Sequence, residues 1–332
     1  MEALTPTRII LLGKSGAGKS SLANTIFGEN AFNINSTPLS DTSLSKAKTR
    51  SVQGRRITLI DTPGFFDTER SEEEMKPEMV RCIAECAPGP HAFLIVLKVE
   101  KFTAQEQAVM EKLRQSFSEE ALRYSVVVFT HGDQLPEDIS IEEFVKQNKN
   151  LRDLVQKCGG RCHVVDNRYW KAGDESSYRS NKFQVAELLN TIHRMTEGNK
   201  GSYYTNDMLQ EVKREMQREE ERIRRASGNM SQEEVWDQAK ISTFDWLMIK
   251  SAGIITGALL EVLLGVAFTL TSTEGGQGLV VAAAQGWVLK GGMRGYNAAE
   301  GAKSPTEAVQ KTIEEVKKQF LVTAEQNRSK SQ

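Results

Sequence analysis

An eight-residue stretch near the start of the chain constrains its fold most strongly, because it fits the pattern G-x-x-x-x-G-K-[ST] of a phosphate-binding loop. The apolar run 8–12 before it predicts a buried strand, and residues 21–27 after it predict a helix that ends at Gly28. This strand–loop–helix context supports the motif, whereas a Gly/Ser-rich surface turn is the alternative. The predicted phosphate-binding residues are Gly13, Lys14, Ser15, Gly16, Ala17, Gly18, Lys19, Ser20 and Ser21.

The residue types of this loop suit a bound polyphosphate. Glycines let the backbone approach the ligand closely, and successive N–H groups at a helix N-terminus form a concave site for an anion. We expect Lys19 to neutralise the β- and γ-phosphates, and the hydroxyl of Ser20 to coordinate Mg²⁺. The loop therefore predicts a nucleotide bound together with Mg²⁺.

A second motif, Asp-Thr-Pro-Gly at 61–64, ends the predicted strand 56–60. Alone it is a turn signal, but after a phosphate-binding loop we expect Asp61 to hold Mg²⁺ through water and the N–H of Gly64 to contact the γ-phosphate. The polar loop 30–48 should supply a hydroxyl that contacts both Mg²⁺ and the γ-phosphate, and the spacing to the strand favours Thr42. The candidates for this hydroxyl are Thr37, Thr42 and Ser45.

A third motif indicates which base is bound. The predicted strand 125–129 is followed by Thr130, His131 and Asp133, in the place of a guanine-reading motif usually written N/T-K-x-D. A carboxylate at Asp133 can accept two hydrogen bonds from guanine, which adenine does not offer. His131 replaces the usual Lys and either stacks on the base or is an exposed loop histidine. Asn167, after the last predicted strand, is expected to present its backbone N–H to guanine O6.

Strands alternate with predicted helices at 72–86, 103–117 and 182–196, which predicts an α/β fold with a doubly wound, mostly parallel six-stranded sheet over 7–200. Its ligand should lie at the C-terminal ends of the strands, where the three motifs fall. The chain has 43 basic and 44 acidic residues, so we expect no nucleic-acid partner. Two C-x-x-x-C pairs form either a zinc site or, more simply, buried thiols.

A longer run between the second and third motifs is more distinctive. It reads RCIAECAPGPHAF at 81–93 and continues as KFTAQEQ at 101–107. This run, together with DTPGFFDT at 61–68 and FTHGD at 129–133, closely resembles the immunity-associated nucleotide-binding GTPases, the GIMAP or IAN family. We call residues 81–107 the signature box.

The resemblance implies a Ras-like P-loop GTPase that binds GTP or GDP with Mg²⁺. It also implies homodimers or homo-oligomers formed through this domain, and a signature box close to switch II and the dimer face. Many relatives have an Arg where Lys101 stands, so Lys101 becomes a catalytic candidate beside Lys19 and Thr42. Phe65 stands where Ras-like enzymes carry a water-orienting Gln, which predicts slow hydrolysis.

The last third of the chain is predicted to be a helical extension. Residues 201–230 are densely charged and carry an apolar stripe of Met208, Val212, Met216 and Ile223 at helical spacing. Within 231–332 the apolar segment 251–289 is either a hairpin in the membrane or a buried helical hairpin. Because residues 1–6 do not form a signal peptide, we expect a cytoplasmic protein or one held on the cytosolic face of a membrane.

Three functions are compatible with these patterns. The first is a guanine-nucleotide switch and assembly GTPase. The second is a scaffold that binds GTP without hydrolysing it, which the missing Gln equivalent favours. The third, a P-loop kinase or ATPase, predicts equal binding of ATP and GTP.

Overall fold

A computed structural model of the 332-residue chain describes residues 6–34, 46–64, 72–100, 116–170, 176–226, 230–251, 259–260 and 263–265. The chain divides into two compact units, Met1–Glu211 and Val212–Gln332. The first unit contains all three nucleotide motifs. The domain boundary at residue 200 stays a prediction.

The described part of the first unit is built on a six-stranded sheet with the order β2-β3-β1-β4-β5-β6. β1 pairs in parallel with β3 and β4, while β2 joins the edge as an antiparallel hairpin with β3. The predicted six-stranded, mostly parallel sheet is confirmed. The strands are β1 (Thr7–Leu12), β2 (Lys46–Val52), β3 (Arg55–Asp61), β4 (Ala92–Lys98), β5 (Ser125–Thr130) and β6 (Cys162–Val164).

Helices connect the parallel strands and cover both faces of the sheet. Those of the first unit are α1 (Lys19–Phe27), α2 (Glu72–Cys86), α3 (Glu119–Arg123), α4 (Ile141–Lys146), α5 (Lys149–Lys157) and α6 (Asn181–Gly198), and α7 (Asp207–Ala226) starts in it. The predictions at 72–86 and 182–196 are confirmed within two residues. The predicted helix 103–117 lies almost entirely outside the described residues.

The core forms because alternate residues of each strand face opposite sides of the sheet. Ile9 and Leu11 of β1 pack on one side with Leu94 of β4, and the cluster includes Leu22 of α1 and Leu188 of α6. Both faces are covered, which is why β4 and β5 are continuous apolar runs. The three motifs lie at the C-terminal ends of β1, β3 and β5, which this packing leaves uncovered.

The sequence did not lead us to predict a helix between 118 and 160, but the structure has three there. α4 starts with a capping box in which Ser140 and Glu143 satisfy each other's backbone N–H groups. The last strand covers Cys162–Val164, which pair with β5, within the stretch 161–167 that was predicted to contain this strand and its exit.

The second unit contains most of α7 and the helix α8 (Gln232–Lys250), which lies in the predicted helical extension and begins with a capping box of Ser231 and Glu234. The predicted apolar stripe of α7 is buried at Val212, Met216 and Ile223. No helix within the described residues is long and apolar enough to cross a membrane. The apolar segment 251–289 lies outside the described residues except for six positions, so its prediction stays open.

Candidate functional site: a nucleotide cavity at the strand ends

The phosphate-binding loop connects β1 to α1 and owes its path to its glycines. Gly16 and Gly18 have φ values of +72° and +88°, a region that side chains with a Cβ rarely adopt. A Cβ on Gly13 would lie 2.5 Å from the carbonyl oxygen of Val96 in β4. These positions explain why the loop requires glycine in this local structure.

Lys19 places its charge inside this loop. Its side chain is buried, and Nζ donates to the carbonyl oxygens of Gly13 at 3.0 Å and Lys14 at 2.9 Å. Lys14 itself points elsewhere, because its Nζ pairs with Glu100 at 3.1 Å. Lys19 is therefore the cation that the loop backbone orients.

The two predicted Mg²⁺ ligands meet each other. Ser20 Oγ, in the first turn of α1, donates to Asp61 Oδ2 at the end of β3 at 2.5 Å. The turn after Asp61 is fixed by Thr62, whose hydroxyl donates to the carbonyl of Leu11 at 2.5 Å. A hydroxyl and a carboxylate are the hard oxygen donors that Mg²⁺ takes, and it usually keeps several waters besides them. These residues fit the ion.

Thr130 connects the guanine motif to the phosphate-binding loop. It is fully buried at the end of β5, and its hydroxyl donates to the carbonyl of Ala17 at 2.8 Å. A Cβ on Gly18 would lie 3.2 Å from its methyl group, so the two loops are in close contact. His131 follows with a left-handed backbone, and its Nδ1 lies 3.0 Å from the Thr130 hydroxyl. The base end and the phosphate end of the site thus form one structure.

Asp133 lies in the short 3₁₀ turn Gly132–Gln134 and is exposed. Its Oδ2 accepts a hydrogen bond from Gln134 Nε2 at 2.6 Å. The turn rests on Trp170, since a Cβ on Gly132 would lie 2.6 Å from the indole ring. The carboxylate is therefore presented on a supported loop.

Asp166 is a site residue that the sequence did not reveal. It follows β6, is 1% exposed, and accepts hydrogen bonds from the backbone N–H groups of Asp133, Arg168 and Tyr169. Burial alone would raise the pKa of Asp166, but hydrogen bonds with the Tyr169 N–H, with the Asp133 side chain, and with the Arg168 and Asp133 N–H groups outweigh it and hold its pKa below its ordinary value. The available signal was an acidic residue at the exit of the last strand. Asn167 beside it accepts from the Thr25 hydroxyl of α1 at 2.8 Å.

One cavity of about 670 Å³ brings the three motifs together. The predicted site residues that do not line it are Gly13, Lys14, Ala17, Asp61 and Thr130. Of these, Asp61 accepts a hydrogen bond from the lining residue Ser20, and Thr130 donates one to Ala17 of the phosphate-binding loop. Unpredicted lining residues include Ile34, Arg168 and Tyr169. The predicted residues that line it are Ser15, Gly16, Gly18, Lys19, Ser20, Ser21, Gly64, His131, Asp133 and Asn167.

Some predicted residues cannot be placed. Thr42 and Lys101 lie outside the described residues, as do Thr37, Ser45 and Phe65. Their roles in sensing the γ-phosphate and in hydrolysis stay predictions.

The cysteines are buried thiols. Cys82, Cys86, Cys158 and Cys162 are free and buried, and burial is the main cause that raises their pKa, to about 12 for the last three. No cluster of three or more His, Cys, Asp or Glu in the described part of the chain could hold a metal. The buried-thiol interpretation is therefore confirmed for these four residues.

The signature box is described over residues 81–100, and its predicted place near switch II and the dimer face stays a prediction. Residues 81–86 form the end of α2, and the following residues meet the start of β1, where Arg8 Nε donates to the carbonyl of Gly89 at 2.8 Å and His91 N–H to that of Arg8 at 2.8 Å. A Cβ on Gly89 would lie 2.0 Å from the carbonyl oxygen of Tyr204. Residues 87–91 thus lie beside the N-terminal ends of β1 and β4, away from the cavity, and they contact the segment before α7.

Comparison with known proteins identifies the family. A model of the AIG1 family matches residues 7–223, well over half of the chain. The chain belongs to the AIG1 family. Its resemblance to the immunity-associated nucleotide-binding GTPases is thereby confirmed.

Two curated proteins illustrate the AIG1 relationship. The chain is 29% identical over 203 residues to human GTPase IMAP family member 8, and 31% identical over 212 residues to immune-associated nucleotide-binding protein 9 of Arabidopsis thaliana. These matches cover 61% and 62% of this chain, but only 30% and 60% of the two relatives.

Among solved structures, Toc33 from Arabidopsis thaliana matches 59% of this chain and 86% of its own, with 18% identity and a TM-score of 0.46. The assignment of this AIG1 chain to the α/β nucleotide-binding fold rests on its own strand order and motifs.

Proposed function

We propose that this chain is a guanine-nucleotide switch that binds GTP and GDP with Mg²⁺ and hydrolyses GTP slowly. The observation that carries the proposal is the single cavity of about 670 Å³ lined by the phosphate loop, the loop after β3 and the guanine motif. Family membership and the names of the relatives support the same conclusion.

Each group of residues has a defined task in this proposal. Lys19, held inside the loop by two carbonyls, neutralises charge on the phosphates. Ser20 and Asp61 would hold Mg²⁺, and Gly64 would contact the γ-phosphate. The ion would supply positive charge that neutralises the phosphate oxygens. Asp133 accepts the two N–H donors of guanine, and Asn167 supports the opposite wall.

The hydrolysis step is proposed to be slow and to need a second copy of the chain. Phe65 offers no amide to orient the attacking water. Lys101 directly follows Glu100, whose carboxylate pairs with Lys14 of the phosphate loop at 3.1 Å. The resemblance of the signature box to that of the family supports the formation of homodimers or homo-oligomers through the nucleotide-binding domain. Thr42 is the proposed hydroxyl that senses the γ-phosphate.

A non-hydrolysing scaffold is the second candidate, and Phe65 is the feature that favours it. GTP cleavage should be followed at increasing protein concentration in single-turnover conditions. The GTPase proposal expects a rate per molecule that rises with concentration. A rate that stays flat refutes activation by a partner copy, and no cleavage at any concentration favours the scaffold.

The proposed assembly is tested by size-exclusion chromatography with GDP and with a non-hydrolysable GTP analogue. We expect a larger species with the analogue, and a monomer in both conditions refutes nucleotide-dependent dimerisation. Cytoplasmic location and membrane contact through 251–289 are further proposals. Co-sedimentation of the full chain and of a chain lacking 251–289 with lipid vesicles tests the contact, which the shorter chain should lose.

A further inference from the structure

Asp166 connects two loops that face each other across the base end of the cavity. Its side chain is 1% exposed although Asp166 borders the cavity, whereas the side chain of Asp133 is exposed. Oδ2 accepts the backbone N–H of Asp133 at 3.3 Å. Oδ1 accepts the backbone N–H of Arg168 at 2.8 Å and that of Tyr169. Each oxygen therefore serves a different loop.

The position of this carboxylate is itself fixed. Asn181, the first residue of α6, accepts the backbone N–H of Asp166 at 3.1 Å, and its Nδ2 donates to the Asp166 carbonyl at 2.6 Å. The main chain of Asp166 is thus anchored to a helix of the core. Because both carboxylate oxygens also accept hydrogen bonds, the Asp166 side chain has little freedom to move.

The chemistry of the contacts requires a carboxylate. The three backbone partners of this carboxylate are N–H donors, and an ionised carboxylate accepts on both of its oxygens. An amide at position 166 would keep one acceptor and turn an NH₂ group towards a donor on the other side. The Asp133 loop would still rest on Trp170 and on the Gly132 hydrogen bond to the Val165 carbonyl at 3.0 Å. It would lose the contact closest to the guanine-reading carboxylate.

We propose that Asp166 is a positioning residue for base recognition, whose buried carboxylate sets the distance between Asp133 and the 167–169 wall of the cavity. The inference rests on the proposed guanine-nucleotide function. It assigns selectivity for the guanine 2-amino group to a residue that acts through the position of Asp133. A merely structural brace would instead weaken the binding of every nucleotide equally.

Inosine diphosphate separates these two roles, because hypoxanthine lacks the 2-amino group and can give Asp133 only one of guanine's two hydrogen bonds. The affinities of GDP, inosine diphosphate and ADP should be measured by calorimetry with Mg²⁺. For Asp166→Asn we expect GDP affinity to fall roughly tenfold and inosine diphosphate affinity to fall much less, because one hydrogen bond is lost. The matched control is Asp138→Asn, the same change at an exposed residue outside the cavity lining.

The outcomes are distinct. If the wild-type protein binds GDP and ADP equally, the proposed function fails, and the inference fails with it. If the wild type prefers GDP but Asp166→Asn lowers both GDP and inosine diphosphate affinity by the same factor, only the inference is overturned. Unchanged affinities in Asp166→Asn overturn it as well.

A second measurement needs no variant and covers the case in which Asp166→Asn does not fold. In the wild-type protein, hydrogen exchange should slow at the Asp133, Arg168 and Tyr169 amides by similar factors when GDP is added, because one carboxylate holds all three. Protection of Asp133 alone would overturn the inference.

Discussion

Thr130→Val tests the tie between the two ends of the nucleotide site. Valine keeps the shape of threonine but removes the hydroxyl that donates to the Ala17 carbonyl at 2.8 Å. Thr130 and Ala17 are both fully buried, so no water can replace the lost donor. Leaving a buried carbonyl unsatisfied costs about 1–3 kcal/mol of the free energy of unfolding. The urea midpoint should therefore fall by roughly 0.5–1 M for a domain of this size.

The same tie should also affect nucleotide binding, because Ala17 lies between the cavity-lining residues Gly16 and Gly18. We expect the dissociation constant for GDP to rise roughly tenfold, as for the loss of one hydrogen bond. At a GDP concentration of 100 times the wild-type constant, the ligand stabilises the wild type by about 2.7 kcal/mol and the variant by only about 1.4 kcal/mol. Urea unfolding with and without GDP measures both quantities.

Thr58→Val is the matched control. Its hydroxyl pairs with Thr49 at 2.8 Å between β2 and β3, away from the cavity lining. It should lose stability but keep the wild-type affinity for GDP. If Thr130→Val also keeps that affinity, the reasoning that connects the two loops through this hydroxyl is refuted.

Three further predictions concern the scaffold. Gly13→Ala should lower the free energy of unfolding by about 1–3 kcal/mol in a urea titration, because its Cβ would lie 2.5 Å from the Val96 carbonyl oxygen; an unchanged midpoint contradicts this. Gly89→Ala should lower the free energy of unfolding by about 3 kcal/mol or more, because its Cβ would overlap the Tyr204 carbonyl and its φ is +154°. A wild-type melting temperature in this variant would disprove the close contact between Gly89 and Tyr204. Burial, and then the nearby Arg8 guanidinium, lower the pKa of His91 to about 4. The unfolded chain therefore binds the proton more tightly, and the free energy of unfolding should fall as the pH drops from about 6.5 towards 4. In His91→Gln this dependence on pH should be weaker.

The phosphate-binding loop and the central strands could be predicted because their signals are local. Residues 126–129 are a continuous apolar run, as is typical of a strand covered on both faces. The whole phosphate-binding motif lies in the consecutive residues Gly13 to Ser20, so no distant contact was needed to recognise it. The capping boxes at Ser140 and Ser231 were equally local, and they show that these two helices had a readable start.

The remaining features depend on distant contacts that no local pattern encodes. Asp166 reaches a backbone N–H 33 residues earlier in the chain, and Trp170 supports Gly132 across the same loops. The contact of residues 87–91 of the signature box with the segment before α7 was not predicted. It depends on Gly89 meeting Tyr204 over 100 residues later, which only the folded chain reveals.

The most direct test of the account is the base preference of the wild-type protein and of Asp133→Asn, measured by calorimetry with GDP, ADP and xanthosine diphosphate in the presence of Mg²⁺. A carboxylate at Asp133 accepts from the guanine 2-amino group, whereas an amide can donate to the 2-oxo group of xanthine. We expect the wild type to bind GDP at least about 100-fold more tightly than ADP, and Asp133→Asn to lose this preference and gain affinity for xanthosine diphosphate. Equal binding of GDP and ADP by the wild type, or an unchanged GDP preference in Asp133→Asn, would contradict the central claim.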